Sequence, residues 1–393
     1  QAPDTFMSHN QEEERSSLEA NASLGGPLLR DRLFYFAFVR YSESSFADNF
    51  AIAGNHDLHT TSSPYWGGKV DWNLSSSHRI EGTYLSDAVE ADRVLSDYDP
   101  ASREVTGLSR TEDRRRGGDN FMLAYTGMLR DDLLVSAAAG RNRFDRTDVN
   151  DGEECPVARD HRSGELRDLG CWVALKRNRD RDSRDAYRVD VDWFVGRHSV
   201  RAGADYEHNQ STHEQDLSGG VQYDYRMNGV EGGDPAKYWF EDLPWDQELV
   251  FVTRESSGGL FDANSKAAYV QDTWAVRPDL TLNLGLRWEG YENKNGLGQT
   301  FIETNDQWAP RLGAVWDPGG QGRSKLYASL GVYHRPVATD VNIKLAGAGY
   351  DSESRYLFDD EINADGSPSA VGDLLYSVTR SDGDTPDPRE VLS

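Results

Sequence analysis

Apolar side chains are scarce in this sequence. They make up 37% of its 393 residues, whereas soluble globular domains usually contain about 45–50%. Aromatic residues and glycine are nonetheless plentiful, with 18 Tyr, 14 Phe, 10 Trp and 37 Gly. This composition argues against one large central core. It favours a sheet with apolar side chains on its outside, water or polar protein inside, and polar loops above.

Long apolar runs are missing as well. No stretch approaches the roughly 18 consecutive apolar residues of a membrane-spanning helix. A β-barrel remains compatible, because alternating apolar and polar residues hide its apolar face. Residues Gln1 to Asp4 do not begin a signal peptide. We therefore expect either that a leader was removed or that the sequence begins inside a longer protein.

Basic residues are outnumbered, with 42 Lys and Arg against 67 Asp and Glu, and the net charge is −25. This balance excludes nucleic acid as a partner, because phosphates require a basic surface. Cationic partners, or partners bridged by divalent ions, remain compatible. Two segments hold much of the excess: 212–263 has 11 acidic and 3 basic side chains, and 336–393 has 12 and 4.

Catalytic motifs are also lacking. The sequence contains neither a G-x-S-x-G nucleophile motif nor a phosphate-binding loop. Its nine histidines are dispersed, and solvated loop positions explain them better than metal ligation does. We therefore predict that the chain is not an enzyme.

Cysteine occurs twice, as Cys155 and Cys171 in one polar segment. We predict a disulfide that closes a small extracellular loop in an oxidising compartment. Two free thiols are the alternative. Two cysteines at this spacing fit no zinc pattern.

The strongest positive signal is period-2 alternation. From Tyr187 to Val195 the odd positions are apolar, while Arg188, Asp190 and Asp192 lie between them. A strand sends these two sets to opposite faces, whereas a helix would scatter them. Leu280 to Trp288 repeats the pattern. The alternation therefore predicts strands with one apolar and one polar face.

About twelve such strands form six predicted hairpins. They are 19–30 with 33–43, 64–74 with 78–88, 119–129 with 133–145, 185–195 with 199–211, 264–276 with 280–291, and 307–317 with 324–335. Turns within hairpins are short, while the connections between them are long: 44–63, 89–118, 146–184, 212–263 and 292–306. Short periplasmic turns and long extracellular loops are typical of outer-membrane barrels. We therefore predict an all-β, antiparallel transmembrane β-barrel, with 336–393 as a further extracellular loop.

Aromatic residues cluster near the predicted strand ends. Among them are Trp66, Trp72, Trp193, Trp274, Trp288, Trp308 and Trp316. In lipid they would form interfacial girdles. Ordinary packing of an antiparallel sheet is the alternative explanation.

The long loops contain candidate binding residues. Five aromatic side chains in 212–263 form a predicted ligand-capture loop: Tyr223, Tyr225, Tyr238, Trp239 and Trp245. Aromatic and acidic groups together suit a peptide or a cationic compound. A solvated acidic surface, bridged by divalent cations to lipopolysaccharide, is the alternative.

One acidic turn approximates the start of a calcium loop. Glu361, Asn363 and Asp365 place oxygen ligands at alternate positions, and Gly366 follows for the turn. The first ligand departs from the usual Asp, and the later bidentate Glu is missing. A solvated acidic turn is the alternative to a calcium site.

Several phrases of the sequence resemble the barrel of TonB-dependent receptors of the Oar-like family. They are Asn21 to Pro27 with Arg30 to Phe36, Lys69 to Leu74, Tyr269 to Trp274 with Pro278 to Trp288, Ala309 to Gly313 with Trp316 to Pro318, and Leu330 to Tyr333. These phrases are scattered over most of 20–335 and are weak in the long loops. Their order along the chain makes the resemblance specific.

The resemblance implies a plug domain, a barrel of 22 strands, and energy delivered through TonB, which grips a box near the N-terminus. This sequence contains no plug, no such box and no C-terminal aromatic-ended strand. We therefore interpret residues 1–393 as part of a single outer-membrane barrel domain, about 12 of the expected 22 strands. Its strands occupy about 19–335.

The predicted function is that of a TonB-dependent receptor and transporter in the bacterial outer membrane. Its cargo is open, with a peptide, a protein or another large nutrient all compatible. The expected partners are outer-membrane lipid, lipopolysaccharide, the transported ligand, and TonB through a missing N-terminal segment. A passive or structural barrel, such as a porin, and a soluble extracellular β-rich binding module are the alternatives.

Overall fold

The computed structural model describes residues 14–50, 55–99, 101–150, 154–164, 166–229 and 240–382. The strands there are β1 (Glu14–Leu29), β2 (Leu33–Phe50), β3 (Asn55–Ser75), β4 (His78–Ser86), β5 (Val89–Asp99), β6 (Glu104–Gly117), β7 (Asp119–Arg130), β8 (Leu133–Asn150), β9 (Val157–Asp160), β10 (Arg167–Leu169), β11 (Lys176–Val195), β12 (His198–Leu217), β13 (Gln222–Met227), β14 (Glu248–Arg277), β15 (Leu280–Lys294), β16 (Thr300–Trp316), β17 (Leu326–Gly331), β18 (Ala348–Leu357) and β19 (Leu374–Asp382). A helix, α1 (Thr339–Ala346), lies between β17 and β18.

All these strands belong to one sheet. Its neighbours pair antiparallel, except that β13 pairs parallel with β9. β4 and β5 both pair with β3, and β6 and β7 both pair with β8. We therefore count β4 and β5 together as one strand of the wall, and β6 and β7 together as another. Counted in this way, and leaving out the short strands β9, β10 and β13, twelve wall strands run from β1 to β17. The six predicted hairpins and the all-β fold class are therefore confirmed.

The sheet is taller than the sequence predicts. The sequence predicts a loop over 89–118, but most of these residues form the hairpin of β5 and β6. β14 likewise continues for 30 residues. Alternation of apolar and polar residues identifies only the part of a strand that has an apolar face. Polar extensions of a strand lack this pattern, although pairing satisfies their backbone groups, so the sequence does not predict them.

Cross-strand register places the apolar side chains side by side. Val270 on β14 lies opposite Leu286 on β15, and Leu284 lies opposite Leu312 on β16. All four are exposed, between 40% and 52%. Such a face would be costly in water, and large exposed apolar patches mark contact with lipid or protein. The sheet thus has the apolar and polar faces that the sequence predicts.

Tryptophan side chains near the strand ends hydrogen-bond to residues of the short turns. The indole Nε1 of Trp193 donates to Asp132 Oδ2 at 3.1 Å, and that of Trp316 donates to Asp279 Oδ2 at 3.2 Å. Both carboxylates lie in the preceding short turn. A ring with one apolar side and one hydrogen-bonded N–H suits a membrane–water interface.

The tail also contains more regular structure than expected. The sequence indicates a long loop over 336–393, but its described part contains α1, β18 and β19, and β18 pairs with the upper part of β14. No helix in the described ranges has both the length and the apolar character needed to cross a membrane.

A charge on the apolar face should destabilise the sheet in a bilayer. Leu284→Lys places an ammonium group near the middle of β15, where Lys facing lipid costs about 2–4 kcal/mol. Asn283→Lys, one residue away on the polar face, is the matched control, and it gives up an exposed hydrogen bond with Thr273. The free energy of unfolding from phospholipid vesicles, measured by urea titration, should fall for Leu284→Lys alone. Equal losses in both variants would contradict the assignment of the two faces.

Candidate functional site

The polar face of β11 to β16 carries an ordered network of charges, which we name the polar wall. Its members are Arg188, Asp190, Asp192, Arg201, Asp205, Tyr269, Arg287, Glu289 and Arg311. Because they come from adjacent strands at similar register, their side chains meet across the sheet.

Tyr269 lies at the centre of the polar wall. Its hydroxyl donates to Asp190 and accepts from Arg188 Nη2 at 3.0 Å. Asp190 also receives Arg188 Nε at 2.8 Å and Arg201 Nη2 at 3.2 Å. Asp190 is only 5% exposed, and three donors satisfy its carboxylate there. Burying a carboxylate is costly without such partners.

Arg287 joins the neighbouring strands to this centre. Its guanidinium contacts Asp205 at 3.0 Å and Glu289 at 2.7 Å, and it lies 5.8 Å from the centre of the Tyr269 ring. Charge-assisted hydrogen bonds of this kind fix side-chain direction as well as adding stability. The wall therefore presents a pre-ordered polar surface.

Gly203 makes room for this arrangement. It lies opposite both Asp190 and Tyr269 in the register. A Cβ atom at this position would lie 2.7 Å from Tyr269 Cε1 and closer still to Asp190 Oδ1. A larger residue would therefore displace the ring and its hydrogen bond.

Helix α1 lies against the same face, above the polar wall. Asn293 on β15 donates through Nδ2 to Asn342 Oδ1 of the helix at 3.0 Å and to Val337 O at 3.2 Å. Asn293 pairs with Ala263, which is two residues from Phe261 and shares its face of β14. Phe261 and Asn342 are both fully buried. The segment that contains α1 therefore narrows the space above the polar wall.

The long connections fold together into a second structural unit, which we name the loop subdomain. It comprises 154–164, 166–175, 218–229, 248–255 and 348–382. Its core contains Tyr225, Val250, Val252 and Phe358, with Tyr223, Tyr356 and Ile362 packed around them. The Tyr225 hydroxyl donates to Gly366 O at 2.8 Å, which ties two of the long connections to each other.

Arg162 closes one side of this core. It contacts Asp160 at 2.8 Å and Glu248 at 2.5 Å, and its guanidinium lies 5.7 Å from the ring centre of Tyr225. The hydrogen bond with Asp160 raises the pKa of Arg162 and lowers the pKa of Asp160. Burial raises the pKa of the Tyr225 hydroxyl. Arg162 and Asp160 therefore stay ionised at ordinary pH, and Tyr225 stays neutral.

The structure joins Cys155 and Cys171 in a disulfide. With Val157 and Trp172 they form a small buried cluster, and Trp172 Nε1 donates to Ala158 O at 3.1 Å. Gly170 passes so close to the backbone of Asp365 that a Cβ atom there would clash. The disulfide loop therefore packs directly on the acidic turn of the tail.

The proposed calcium residues lie in a narrow turn. Asp365 Oδ1 accepts from Ser367 N at 3.0 Å and from Ser367 Oγ at 2.7 Å, while Asn363 Nδ2 donates to Ser367 Oγ at 3.1 Å. Glu361 contributes its backbone oxygen to Ser369. In the described ranges, no three His, Cys, Asp or Glu side chains are grouped to hold a metal. Calcium at Glu361, Asn363 and Asp365 stays a prediction.

The predicted ligand-capture residues separate into three groups. Tyr225 is fully buried, so it acts as a core residue and cannot contact a ligand in this conformation. Tyr223 is half-buried beside it, and Trp245 is 61% exposed. Tyr238 and Trp239 lie outside the described residues. Aromatic content alone could not tell a loop core from a binding surface.

The network around Tyr269 was not predicted as a site. Alternation with apolar residues places Arg188, Asp190, Arg201 and Arg287 on the polar faces of their strands, but the pairing of strands decides which of them meet. A small residue on a polar face, such as Gly203, is the signal that could have drawn attention to it.

Comparison with known proteins now decides the family. Residues 39–299 match the model of the outer membrane beta barrel domain. The chain belongs to that family. Its location is therefore the outer membrane, and the apolar face contacts lipid while the polar wall faces the lumen. This outcome excludes the soluble extracellular module and places the barrel among membrane proteins.

Two further similarities accompany the family match. The TonB-dependent transporter Oar of Myxococcus xanthus is 29% identical over 149 residues, which cover 36% of this chain and 14% of that protein. The outer membrane transporter YddB of Escherichia coli has a TM-score of 0.54 at 10% identity, covering 88% of this chain and 45% of that one. The second likeness shows the fold alone. This barrel chain thus spans less than half of YddB and a smaller share of Oar.

Gly203→Ala should weaken the polar wall of the barrel. The added methyl group collides with Tyr269, and overpacking of this kind costs about 1–3 kcal/mol. Gly285→Ala is the matched control, because a Cβ there meets only ordinary contacts, the nearest at 3.6 Å. The urea midpoint of unfolding in vesicles should fall for Gly203→Ala and stay unchanged for Gly285→Ala. Unchanged midpoints in both would show that Tyr269 does not depend on this space.

Tyr225→Ala should open the loop subdomain and leave the barrel wall folded. Truncating a buried aromatic side chain costs about 3–5 kcal/mol. Protease added to whole cells should then cut within 154–175 or 348–382, while the wall keeps its heat-modifiable migration on gels. Trp245→Ala is the control, since that ring is exposed. Equal protease resistance of both variants would mean that the Tyr225 core does not hold the loops together.

Proposed function

We propose that this chain is the barrel segment of a TonB-dependent transporter of the outer membrane, with a peptide, a protein or another large nutrient as cargo. The observation that carries the proposal is the similarity to the TonB-dependent transporter Oar. Energy would come through TonB by way of a segment outside this sequence. Lipid and lipopolysaccharide surround the wall.

The lumen supports this function over passive diffusion. Most of the carboxylates and guanidinium groups of the polar wall are already paired with each other, as at Asp190 and Arg287. A wall in this state offers fixed donors and acceptors to a protein segment inside the barrel. Helix α1 further narrows the upper lumen. A wide aqueous channel would not need either feature.

The loop subdomain supports a role in cargo handling at the cell surface. Its core and its disulfide hold the long connections in one shape, which lowers the entropy lost on binding. Its acidic surface favours cationic groups on a cargo. We propose the exposed ring of Trp245, with Tyr223, Tyr238 and Trp239, as contributors to capture, and Glu361, Asn363 and Asp365 as a calcium site.

Ion conductance separates a transporter from a passive porin without knowledge of the cargo. The natural protein, extracted from outer membranes and inserted into planar bilayers, should conduct almost no current until a denaturant unfolds whatever fills the lumen. Removal of the denaturant should restore the closed state. A porin purified in the same way is the control. Steady open-channel current before denaturant is added would support the passive barrel instead.

A further inference from the structure

A cavity of about 440 Å³ opens on the polar wall. Four guanidinium groups line it, from Arg188, Arg201, Arg287 and Arg311. Tyr269, Gln271, Gly285 and Glu289 complete its polar lining. In a chain with a net charge of −25, a site with four cations and one carboxylate in its lining is unusual.

The acidic partners of these arginines lie mostly outside the cavity lining. Asp190 and Asp205 hold Arg188, Arg201 and Arg287 at 2.8, 3.2 and 3.0 Å. Glu289, which does line the cavity, is taken up by Arg287 at 2.7 Å. Carboxylates therefore take up three of the four guanidinium groups that line the cavity.

Arg311 differs from the other three. Among the residues that the structure describes, no carboxylate lies within ion-pair distance of its guanidinium, which instead stacks at 4.7 Å from the ring centre of Tyr333. Its cross-strand neighbours are both glycine, Gly285 on β15 and Gly331 on β17. The ring of Tyr333 covers Gly331, since a Cβ atom there would lie 3.1 Å from that ring, whereas a Cβ atom at Gly285 would meet nothing nearer than 3.6 Å. Space therefore remains on the Gly285 side of this cation.

Arg201 lies in the same cross-strand row of the sheet as Arg311. Arg201 pairs with Gln271, Gln271 pairs with Gly285, and Gly285 pairs with Arg311. Three strand spacings of about 4.8 Å separate the two arginine backbones, and both side chains line the same cavity from opposite sides of Gln271 and Gly285. The Gln271 amide lies between them as a further donor.

We propose that Arg311, together with Arg201 and Gln271, forms a carboxylate-binding subsite on the lumen wall. A guanidinium fork matches the two oxygens of a carboxylate, and the pairing strengthens where water is partly excluded. The carboxylate comes either from a solute in the lumen or from an acidic side chain of a protein segment inside the barrel. The subsite requires only the polar wall and is independent of TonB-dependent transport.

Arginine modification tests the diffusible source. The natural protein in detergent is treated with phenylglyoxal, and the modified residues are identified by mass spectrometry with and without succinate. Succinate at ten times its Kd should slow the modification of Arg311 by about tenfold, whereas the exposed turn residue Arg30 should be unaffected. Succinamide, which has the same shape but no charge, should protect neither residue.

A second variant tests the protein source. If Arg311 resists phenylglyoxal before any succinate is added, Arg311→Lys keeps the cation and provides an amine for carbodiimide coupling. A zero-length cross-link from position 311 to a carboxyl group of the protein, found by mass spectrometry, would then identify the occupant. Arg30→Lys is the control and should not form that cross-link.

Two results would overturn the proposal. One is an Arg311 that reacts at the same rate with and without succinate. The other is an Arg311 that resists modification while Arg311→Lys yields no cross-link to a carboxyl group. Conductance of the whole protein does not enter either readout, so the proposed transport function and this subsite can fail separately.

Discussion

Backbone hydrogen bonding in lipid is the constraint on which the rest of this structure depends. The hydrocarbon core supplies no water to N–H and C=O groups, so a strand can cross only when neighbours on both sides satisfy it. Among the described residues, the ten wall strands between β1 and β17 do this through antiparallel registers, while β1 pairs with β2 alone and β17 pairs with β16 alone. Pairing then fixes which side chains share a face, and the period of two sends Leu284 and Leu312 to lipid and Arg287 and Asp205 to the lumen.

Above the membrane the constraint is different, because water can satisfy exposed backbone groups. The long connections nevertheless fold, since Tyr225, Val250 and Phe358 form a core of their own and the Cys155–Cys171 disulfide limits the unfolded alternatives. Strand β14 belongs to both the wall and the loop subdomain. Its later residues pair with β12 and β15 in the wall, and its first residues pair with β13 and β18. The loop subdomain is therefore a continuation of the wall.

Much of the wall could be predicted from the sequence, because alternation and turn chemistry are local. Trp193 and Leu280 to Trp288 lie where the pattern places them. The meeting of Tyr269 with Asp190 could not be predicted in the same way, since it depends on register among three strands. The burial of Tyr225 depends on contacts with Gly366, 141 residues away, which no local pattern contains. Helix α1 was missed for a similar reason, because its buried Asn342 hydrogen-bonds to Asn293 and to the backbone oxygen of Lys294, about 50 residues away on β15.

The two-faced sheet is the central claim, and a nitroxide scan along β15 tests it most directly. Single spin labels at each position from Leu280 to Trp288, in the protein reconstituted into vesicles, report access to oxygen in lipid and to a water-soluble nickel complex. The account predicts that accessibility to oxygen peaks at even positions and accessibility to nickel peaks at odd positions, with a period of two. Uniform access to the nickel complex along the strand, or a period near 3.6, would contradict it.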